Sequence, residues 1–545
     1  MASPHHDQEP ASTPTQPALG RTVARGMGLM VLVGLLGKFG STAAVVVLGF
    51  KLSDDDFGLF GIALGFGGVV QVLRDGGLRQ IAIQRGPKGF ERLLGPVGWM
   101  SLAANSTAGL ILAALAPLAA VVYGEPDLLG LMLVTAVAAP LVTVGSLCKA
   151  DLEVQLRYGA VAWMNTSNNM TRYGAQIVLA VLGFGAYAMV IPMILVSIVD
   201  GIVGLSLTRR TFLTHGPRTR IWPTLLSRVR WTIGGTLGLA VLNRADRIVL
   251  GFFVPTAVVG LYTFAFQIAI QINTILAANF QKVLFPALTR FKDDQNRHTD
   301  ATARALRALS LVSAGGGVAL ALAFRPLEHL IWQGKWQAAV PAAQLMALAL
   351  PMRMCVSIHN AAALSLGQFK PWAFFNWIQG AGLVIAAALA GWLAASAGDG
   401  GAAATAIAAV ISLFYALAIP LLVARRLTTI DLPLGTTLAA IFGPWITMIA
   451  AALLVSAARH ALITPAGQPD RQAAAIDLAI TLAAYSALAA AASRCVLKRP
   501  MIELLAVTPA PLSKPAARAF RLPHAHDQQG RKTVPTETDA TTTGP

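Results

Sequence analysis

A chain of 545 residues that is 55% hydrophobic and only 12% charged, with a mean hydropathy of +0.63, is not an ordinary soluble protein, in which about a quarter of residues carry charge. Its formal net charge of +17 raises nucleic acid as a partner, but the basic residues fall in alternate segments between apolar runs, which argues against that class. The cysteines Cys148, Cys355 and Cys495 lie in or at the ends of apolar segments without metal-ligand or CxxC spacing and read as packing residues.

Residues 1–25 are polar over most of their length, lack an apolar h-region and read as a disordered cytoplasmic tail. About 20 residues of helix cross the hydrocarbon of a bilayer. Apolar runs bounded by charges or turn residues place candidate spans at 26–50, 57–78, 96–122, 127–148, 160–183, 186–208, 231–254, 259–281, 308–330, 338–363, 372–396, 401–424, 436–457 and 473–493. The fold expected is an all-α polytopic membrane protein of about 14 transmembrane helices. Residues 26–208 form an N-terminal six-helix bundle, 209–230 a basic cytoplasmic linker, and 231–424 a C-terminal six-helix bundle. Two additional helices follow within 425–499, and 500–545 is a disordered cytoplasmic tail held near anionic lipid.

Loop charge gives an independent test. With the N-terminus inside, 31 of the 42 basic residues fall on the cytoplasmic side and 5 outside, which supports an even number of spans with both termini cytoplasmic. The external segments are short and acidic where charged, as at Asp54-Asp55-Asp56, Glu125, Asp127 and Asp399. An internal repeat accompanies this plan: Phe57-Gly-Leu-Phe-Gly-Ile-Ala63 and Val259-Gly-Leu-Tyr-Thr-Phe-Ala265 each follow a long apolar run and a short turn, 202 residues apart. Six spans separate them, so the two bundles would be pseudo-symmetric parallel repeats, the plan of an alternating-access transporter.

The remaining six basic residues lie inside spans: Lys38, Arg74, Arg172, Arg244, Arg247 and Arg353. A charge at membrane depth costs from roughly 2.5 kcal/mol upward, so these point to a polar interior. Guanidinium forks grip phosphate oxygens bidentately, and a cavity lined by these cations fits a diphosphate head group. Asp75 and Asp246 are candidates for ion coupling or for ion pairing, Asp75 with Arg74 and Asp246 with Arg244 or Arg247. Two carboxylates leave about four of the six cations to water or to an anionic substrate. For Arg172 and Arg353, snorkelling to an interface is the alternative.

Asn165, Thr166, Ser167, Asn168, Asn169 and Thr171 are read two ways, as partners for sugar hydroxyls or as interhelical hydrogen-bond formers. Pro140, Pro192, Pro351, Pro420 and Pro444 should kink their spans. Trp99, Trp332, Trp336, Trp372 and Trp445 fall near span ends and read as interface anchors. No Gly-x-x-x-x-Gly-Lys-Ser/Thr loop, metal site or Ser/His/Asp pattern occurs, and His329, His359 and His460 are isolated, so the chain is expected to be a transporter rather than an enzyme.

Several strings carry a family likeness. Lys51-Leu-Ser-Asp-Asp-Asp-Phe-Gly-Leu-Phe60, Leu73-Arg-Asp-Gly-Gly-Leu78 and Ile81-Ala-Ile-Gln84 resemble the opening repeat of Wzx-type polysaccharide transporters. Asp246-Arg-Ile-Val-Leu-Gly251, Gly260-Leu-Tyr262 and Leu284-Phe-Pro-Ala-Leu288 resemble the same family's second-half signature. The likeness covers roughly 28–95 and 230–295, and the superfamily includes multidrug (MATE) exporters and the lipid II flippase. It implies a MATE-like flippase of the bacterial inner membrane. Its substrate would be an undecaprenyl-diphosphate-linked oligosaccharide for exopolysaccharide, capsule or O-antigen synthesis. Membrane lipids and polysaccharide polymerase or export machinery would be its partners. No cofactor is implied beyond an H+ or Na+ gradient. The rival readings are a multidrug or cation antiporter, whose cavity should be richer in carboxylates, and a membrane glycosyltransferase, which needs larger external loops than this chain offers.

Overall fold

The computed structural model describes residues 33–34, 37–75, 86–208, 211–462 and 471–495, with side chains described except at 69–75, 86–88, 228, 272–283, 460–462 and 494–495. The expected tails 1–25 and 500–545 lie outside the described residues. Among the described residues every regular element is a helix. The chain divides into two compact units, Met1–Ala240 and Val241–Pro545.

The first unit holds α1 (37–51), α2 (Asp54–Asp75), α3 (Gly86–Tyr123), α4 (Asp127–Val154), α5 (Tyr158–Val181) and α6 (Tyr187–Thr208). It also takes the start of α7 (Trp222–Leu250), whose last turns belong to the second unit. There follow α8 (Thr256–Arg290), α9 (Gln295–Trp332), α10 (Val340–Ala349), α11 (Met354–Ser365) and α12 (Phe369–Ala394). The chain ends with α13 (Gly400–Leu413), α14 (Ile419–Leu427), α15 (Leu434–Leu462) and α16 (Arg471–Cys495).

Nine of the described helical stretches are long and apolar enough to cross a membrane, which makes this a multi-pass membrane protein. The other five expected runs also fall on helical backbone, but over shorter described stretches or with more polar residues.

Glycines set how closely the helices approach. In the first unit α4 packs between α3 and α6. A Cβ at Gly109 would stand 2.6 Å from the Ala136 carbonyl, and one at Gly204 would stand 2.7 Å from Cys148. Only the missing side chain lets these helices approach so closely, as expected where dispersion rather than water exclusion drives association. In the second unit α9 supports α15 and α16 through Leu311, Ala314 and Val318 against Trp445, Met448, Ala451, Val455 and Tyr485. The Tyr485 hydroxyl donates to the Gly315 carbonyl at 3.2 Å, which ties the last helix to α9.

Proline has unequal effects. Pro140, Pro192 and Pro444 sit inside unbroken helices. At Pro351 the expected run 338–363 breaks into α10 and α11 through a 3₁₀ turn, Leu350–Arg353. Ahead of Pro420 the helix widens into a π turn, Phe414–Ala418. A proline ring clashes with the carbonyl four residues back and offers no N–H, and a local change of winding relieves both. The two irregular turns pack on one another.

The tryptophans correct an expectation. Trp332, Trp336, Trp372 and Trp445 are buried, not interface anchors. Trp336 stacks on Phe264 with centroids 3.9 Å apart, and the Trp372 indole N–H donates to Asn360 Oδ1 at 3.0 Å. Position near a span end does not distinguish a lipid-facing ring from one that fills space beside small residues.

The resemblance string around Ser53 has a structural cause. The Asp56 N–H donates to Ser53 Oγ at 3.1 Å, while the Ser53 N–H donates back to Asp56 Oδ2 at 2.9 Å, a capping box that starts α2. Asp56 Oδ1 also accepts from the Ala186 N–H at 2.8 Å, so this carboxylate joins the α1–α2 turn to the start of α6. Asp56→Ala removes the cap and the cross-link together. It should lower the unfolding free energy of purified protein by about 2 kcal/mol. An unchanged thermal unfolding midpoint would show that the motif is not structural.

Candidate functional site

On α7 the residues Asn243, Asp246 and Arg247 are spaced three and four apart and share one face. Arg244, about 100° further round the helix, lies at the edge of that face. Asp246 is fully buried and Arg247 is 3% exposed. The Tyr262 hydroxyl on α8 donates to Asp246 Oδ2 at 2.6 Å. Asp246 Oδ1 stands 3.8 Å from Arg247 Nη1 and accepts no hydrogen bond, so this is a loose ion contact. The Arg247 guanidinium lies 4.4 Å from the Phe266 ring centroid, and its Nη1 reaches the Asn243 carbonyl at 3.5 Å. Its Nε has no acceptor.

A second guanidinium approaches the same helix. Arg353, 8% exposed, ends the 3₁₀ turn and donates through Nη2 to Asn243 Oδ1. It lies 4.8 Å from the ring centroid of Tyr415, which belongs to the π turn and donates its hydroxyl to the Leu242 carbonyl at 3.3 Å. Asn243 therefore receives both arginines, one on its backbone oxygen and one on its side chain. Each planar cation rests on an aromatic face, which stabilises a desolvated guanidinium by about 2 kcal/mol. The irregular turns explain why these residues reach α7: each re-aims a side chain that a continuous helix would carry elsewhere.

Of the residues expected from the sequence, Asp246, Arg247 and Arg353 meet here, and Asp246 takes Arg247 rather than Arg244 as its ion partner. Arg244 is half-buried, with no hydrogen-bond or ion-pair partner among the described residues. Arg74 and Asp75 close α2, and their side chains lie outside the described residues. Lys38 and Arg172 belong to the first unit. Lys38 is half-buried on α1, which meets α5 where Gly37 faces Asn169 and Gly40 faces Tyr173.

Arg172 lines a cavity of about 90 Å³ with Asn168, Thr135, Ser197 and Asp200. Asn168 Nδ2 donates to Asp200 Oδ2 at 2.7 Å, Lys149 donates to Asn165 Oδ1, and the Thr166 hydroxyl donates to the Ala162 carbonyl at 3.0 Å. These three α5 side chains are thus engaged with protein groups. Asp200 went unread in the sequence, although a lone carboxylate within the apolar run 186–208 was the available signal. It shares the cavity with Arg172, and Arg353 has Asn243 and Tyr415, so neither of these two cations is left to water or substrate alone. Glu328 also went unread: it is fully buried at the end of α9 and accepts the Trp336 N–H at 2.9 Å.

This fold occurs in known transporters. The structure of the lipid II flippase MurJ in an inward closed conformation superposes with a TM-score of 0.63 over 86% of this chain and 99% of that one, at 14% identity. An inward-facing MATE-family multidrug transporter gives 0.54 over 74% of this chain and 98% of that one, at 15% identity. The sequence pattern of the family described as "Polysaccharide biosynthesis protein" matches residues 51–341, more than half of the chain. The chain belongs to this family. Its curated relatives include the teichuronic acid biosynthesis protein TuaB of Bacillus subtilis (strain 168), 23% identical over 57% of this chain and 64% of that protein. The lipopolysaccharide biosynthesis protein WzxC of Escherichia coli (strain K12) is 20% identical over 57% of this chain and 65% of that protein. The match spans just under two thirds of each relative's length. The Wzx-type resemblance read from the Ser53 and Asp246 strings agrees with these relatives.

Proposed function

We propose that this chain moves an undecaprenyl-diphosphate-linked oligosaccharide across the bacterial inner membrane for exopolysaccharide, capsule or O-antigen synthesis. The observation that carries this reading is the buried arginine pair around Asn243. Among the described residues, Arg247 keeps an unused N–H and its carboxylate contact is long, while Arg353 is held by neutral groups. Buried donors left unsatisfied need an explanation, and a ligand rich in acceptor oxygens supplies one. The Arg247 guanidinium lies over Phe266 and that of Arg353 over Tyr415, both largely out of water. A diphosphate would take the open edges of the forks, with Arg244 completing the cationic side, while the lipid tail stays in the bilayer.

The names of the fold neighbours and relatives, a lipid II flippase among them, support a carrier of lipid-linked sugars over an enzyme. The remaining parts of the reading are about fourteen spans, two parallel six-helix repeats and both termini in the cytoplasm. Lys38, Arg74 and Arg172 line the same route, and an H+ or Na+ gradient drives it, with Asp75 or Asp246 as the coupling carboxylate. Periplasm-active reporter fusions should be silent at Thr428 and active at Gly398.

The decisive experiment compares ligands. Purified protein should bind undecaprenyl-diphosphate glycan at least roughly a hundredfold more tightly than an uncharged lipid-linked analogue, since each charge-assisted hydrogen bond contributes on the order of 1.5–3 kcal/mol. A multidrug antiporter would instead bind cationic dyes. A glycosyltransferase would turn over only with acceptor sugar, whereas a flippase moves labelled lipid across liposomes alone. Equal affinity for the charged and uncharged lipids removes the diphosphate site.

A further inference from the structure

We propose that the segment between α6 and α7 is a docking surface for anionic phospholipid headgroups of the adjoining leaflet. From Arg209 to Arg230 the sequence carries six arginines and no carboxylate. A run of this kind is ordinarily a mobile, solvated loop, but here its described stretch from residue 211 onward is clamped. Phe212 is 2% exposed and packs edge-on against Trp99 of α3, with centroids 5.8 Å apart. The indole N–H of Trp99 donates to the His215 carbonyl at 2.9 Å. Gly98 makes room, since a Cβ there would run into the Phe212 ring. Further along, the Trp222 indole N–H donates to the Pro217 carbonyl at 3.2 Å. Both ends of the stretch 212–222 are therefore fixed to helices.

What the clamp presents outward is mixed in a specific way. Arg218, Arg220 and Arg230 are exposed. So are Leu213 at 53%, Leu226 at 46% and Trp231 at 39%. Arg230 lies over the Trp231 ring at 5.5 Å. Arg218 is held at φ +39°, a left-handed conformation that costs an arginine free energy and persists only where the surroundings enforce it. Cations interleaved with exposed apolar side chains match the boundary between headgroups and acyl chains, where each kind finds its own medium. Water alone would leave the leucines and the indole unsatisfied, and a basic partner would be repelled. Because the clamp orders the segment beforehand, lipid binding does not carry the full ordering cost.

This inference rests on the reading of α6 and α7 as membrane spans, not on the substrate. It can fail while the diphosphate site stands, and the reverse. The test places full-length protein in nanodiscs of phosphatidylcholine alone or of phosphatidylcholine with phosphatidylglycerol, and follows hydrogen exchange of the amides 213–221. Both leaflets of such a disc are alike, so the outcome does not depend on orientation. Exchange should slow when phosphatidylglycerol is present and recover at high salt. Native mass spectrometry should show each arginine-to-glutamine change weakening phosphatidylglycerol retention about fivefold, and Arg218→Gln/Arg220→Gln/Arg230→Gln together roughly a hundredfold, with unchanged thermal stability. Inorganic phosphate added to phosphatidylcholine discs should protect nothing, and protection there would overturn a lipid surface in favour of a free-phosphate site. Equal exchange in both lipids, or a full phosphatidylglycerol effect in the triple variant, would also overturn the proposal.

Discussion

Arg247→Ala should abolish polysaccharide export and most of the folded protein at once, whereas Asp246→Asn/Arg247→Gln should leave a folded protein that still fails to export. The difference follows from what each change leaves behind. Asp246 is fully buried, and its nearest positive charge is the Arg247 guanidinium at 3.8 Å. Stripping one partner from a buried pair costs about 3–5 kcal/mol, because the other charge stays in a medium that cannot solvate it. That is a large share of the 5–15 kcal/mol by which a domain is typically stable. The double variant removes both charges, and the asparagine side chain introduced in place of Asp246 can still accept the Tyr262 hydroxyl that now serves the carboxylate at 2.6 Å. Size-exclusion profiles of solubilised protein, read beside surface polymer, separate the cases. Wild-type export by the double variant would sink the substrate-binding role and leave a structural pair. A stable, monodisperse Arg247→Ala protein would show that Asp246 is not burdened in the way its burial requires.

How far this site was legible in the sequence depends on the kind of signal. Arg244, Asp246 and Arg247 stand out because a charge inside an apolar run is costly and must face something polar. Their neighbours send no such signal. Tyr262, Phe266 and Tyr415 are aromatic residues in apolar helices, which describes core residues equally well, and only the fold shows that two guanidinia lie on the faces of Phe266 and Tyr415. Arg353 was visible as a charge but ambiguous in role. What the sequence could not show is its burial against α7, which follows from the 3₁₀ turn, a change of winding that Pro351 hints at without specifying. Asp200 shows the opposite failure, a signal that was present and outweighed by the apolar residues around it. The helices themselves were largely legible, since the expected runs fall mainly on helical backbone where they are described, missing by a few residues at ends such as 182–183 and 251–254. Their packing was not, because Gly109, Gly204 and Gly317 look alike in sequence whether they face another backbone or lipid.

Arg353 offers the cleaner test of anion binding, because its removal should spare the fold. Its partners are neutral: the Asn243 side-chain oxygen and the face of Tyr415. Arg353→Met therefore strands no buried charge, and leaves only one acceptor unmatched at a cost of about 1–3 kcal/mol. The methionine chain fills much of the space along the Tyr415 ring, so the protein should stay in the membrane and unfold within a few degrees of wild type. Binding should suffer more. If the guanidinium contributes one charge-assisted contact to the diphosphate, its loss weakens affinity roughly ten- to hundredfold. Arg353→Lys keeps the charge but not the fork or the flat stack, and should fall between the two. The order wild type, then Lys, then Met, measured with undecaprenyl-diphosphate glycan and absent with an uncharged lipid-linked sugar, is the signature of a phosphate contact. Wild-type affinity in Arg353→Met would remove Arg353 from the site. A collapse of the protein in Arg353→Met but not in Arg353→Lys would mean that this arginine only supports the junction of the 3₁₀ and π turns.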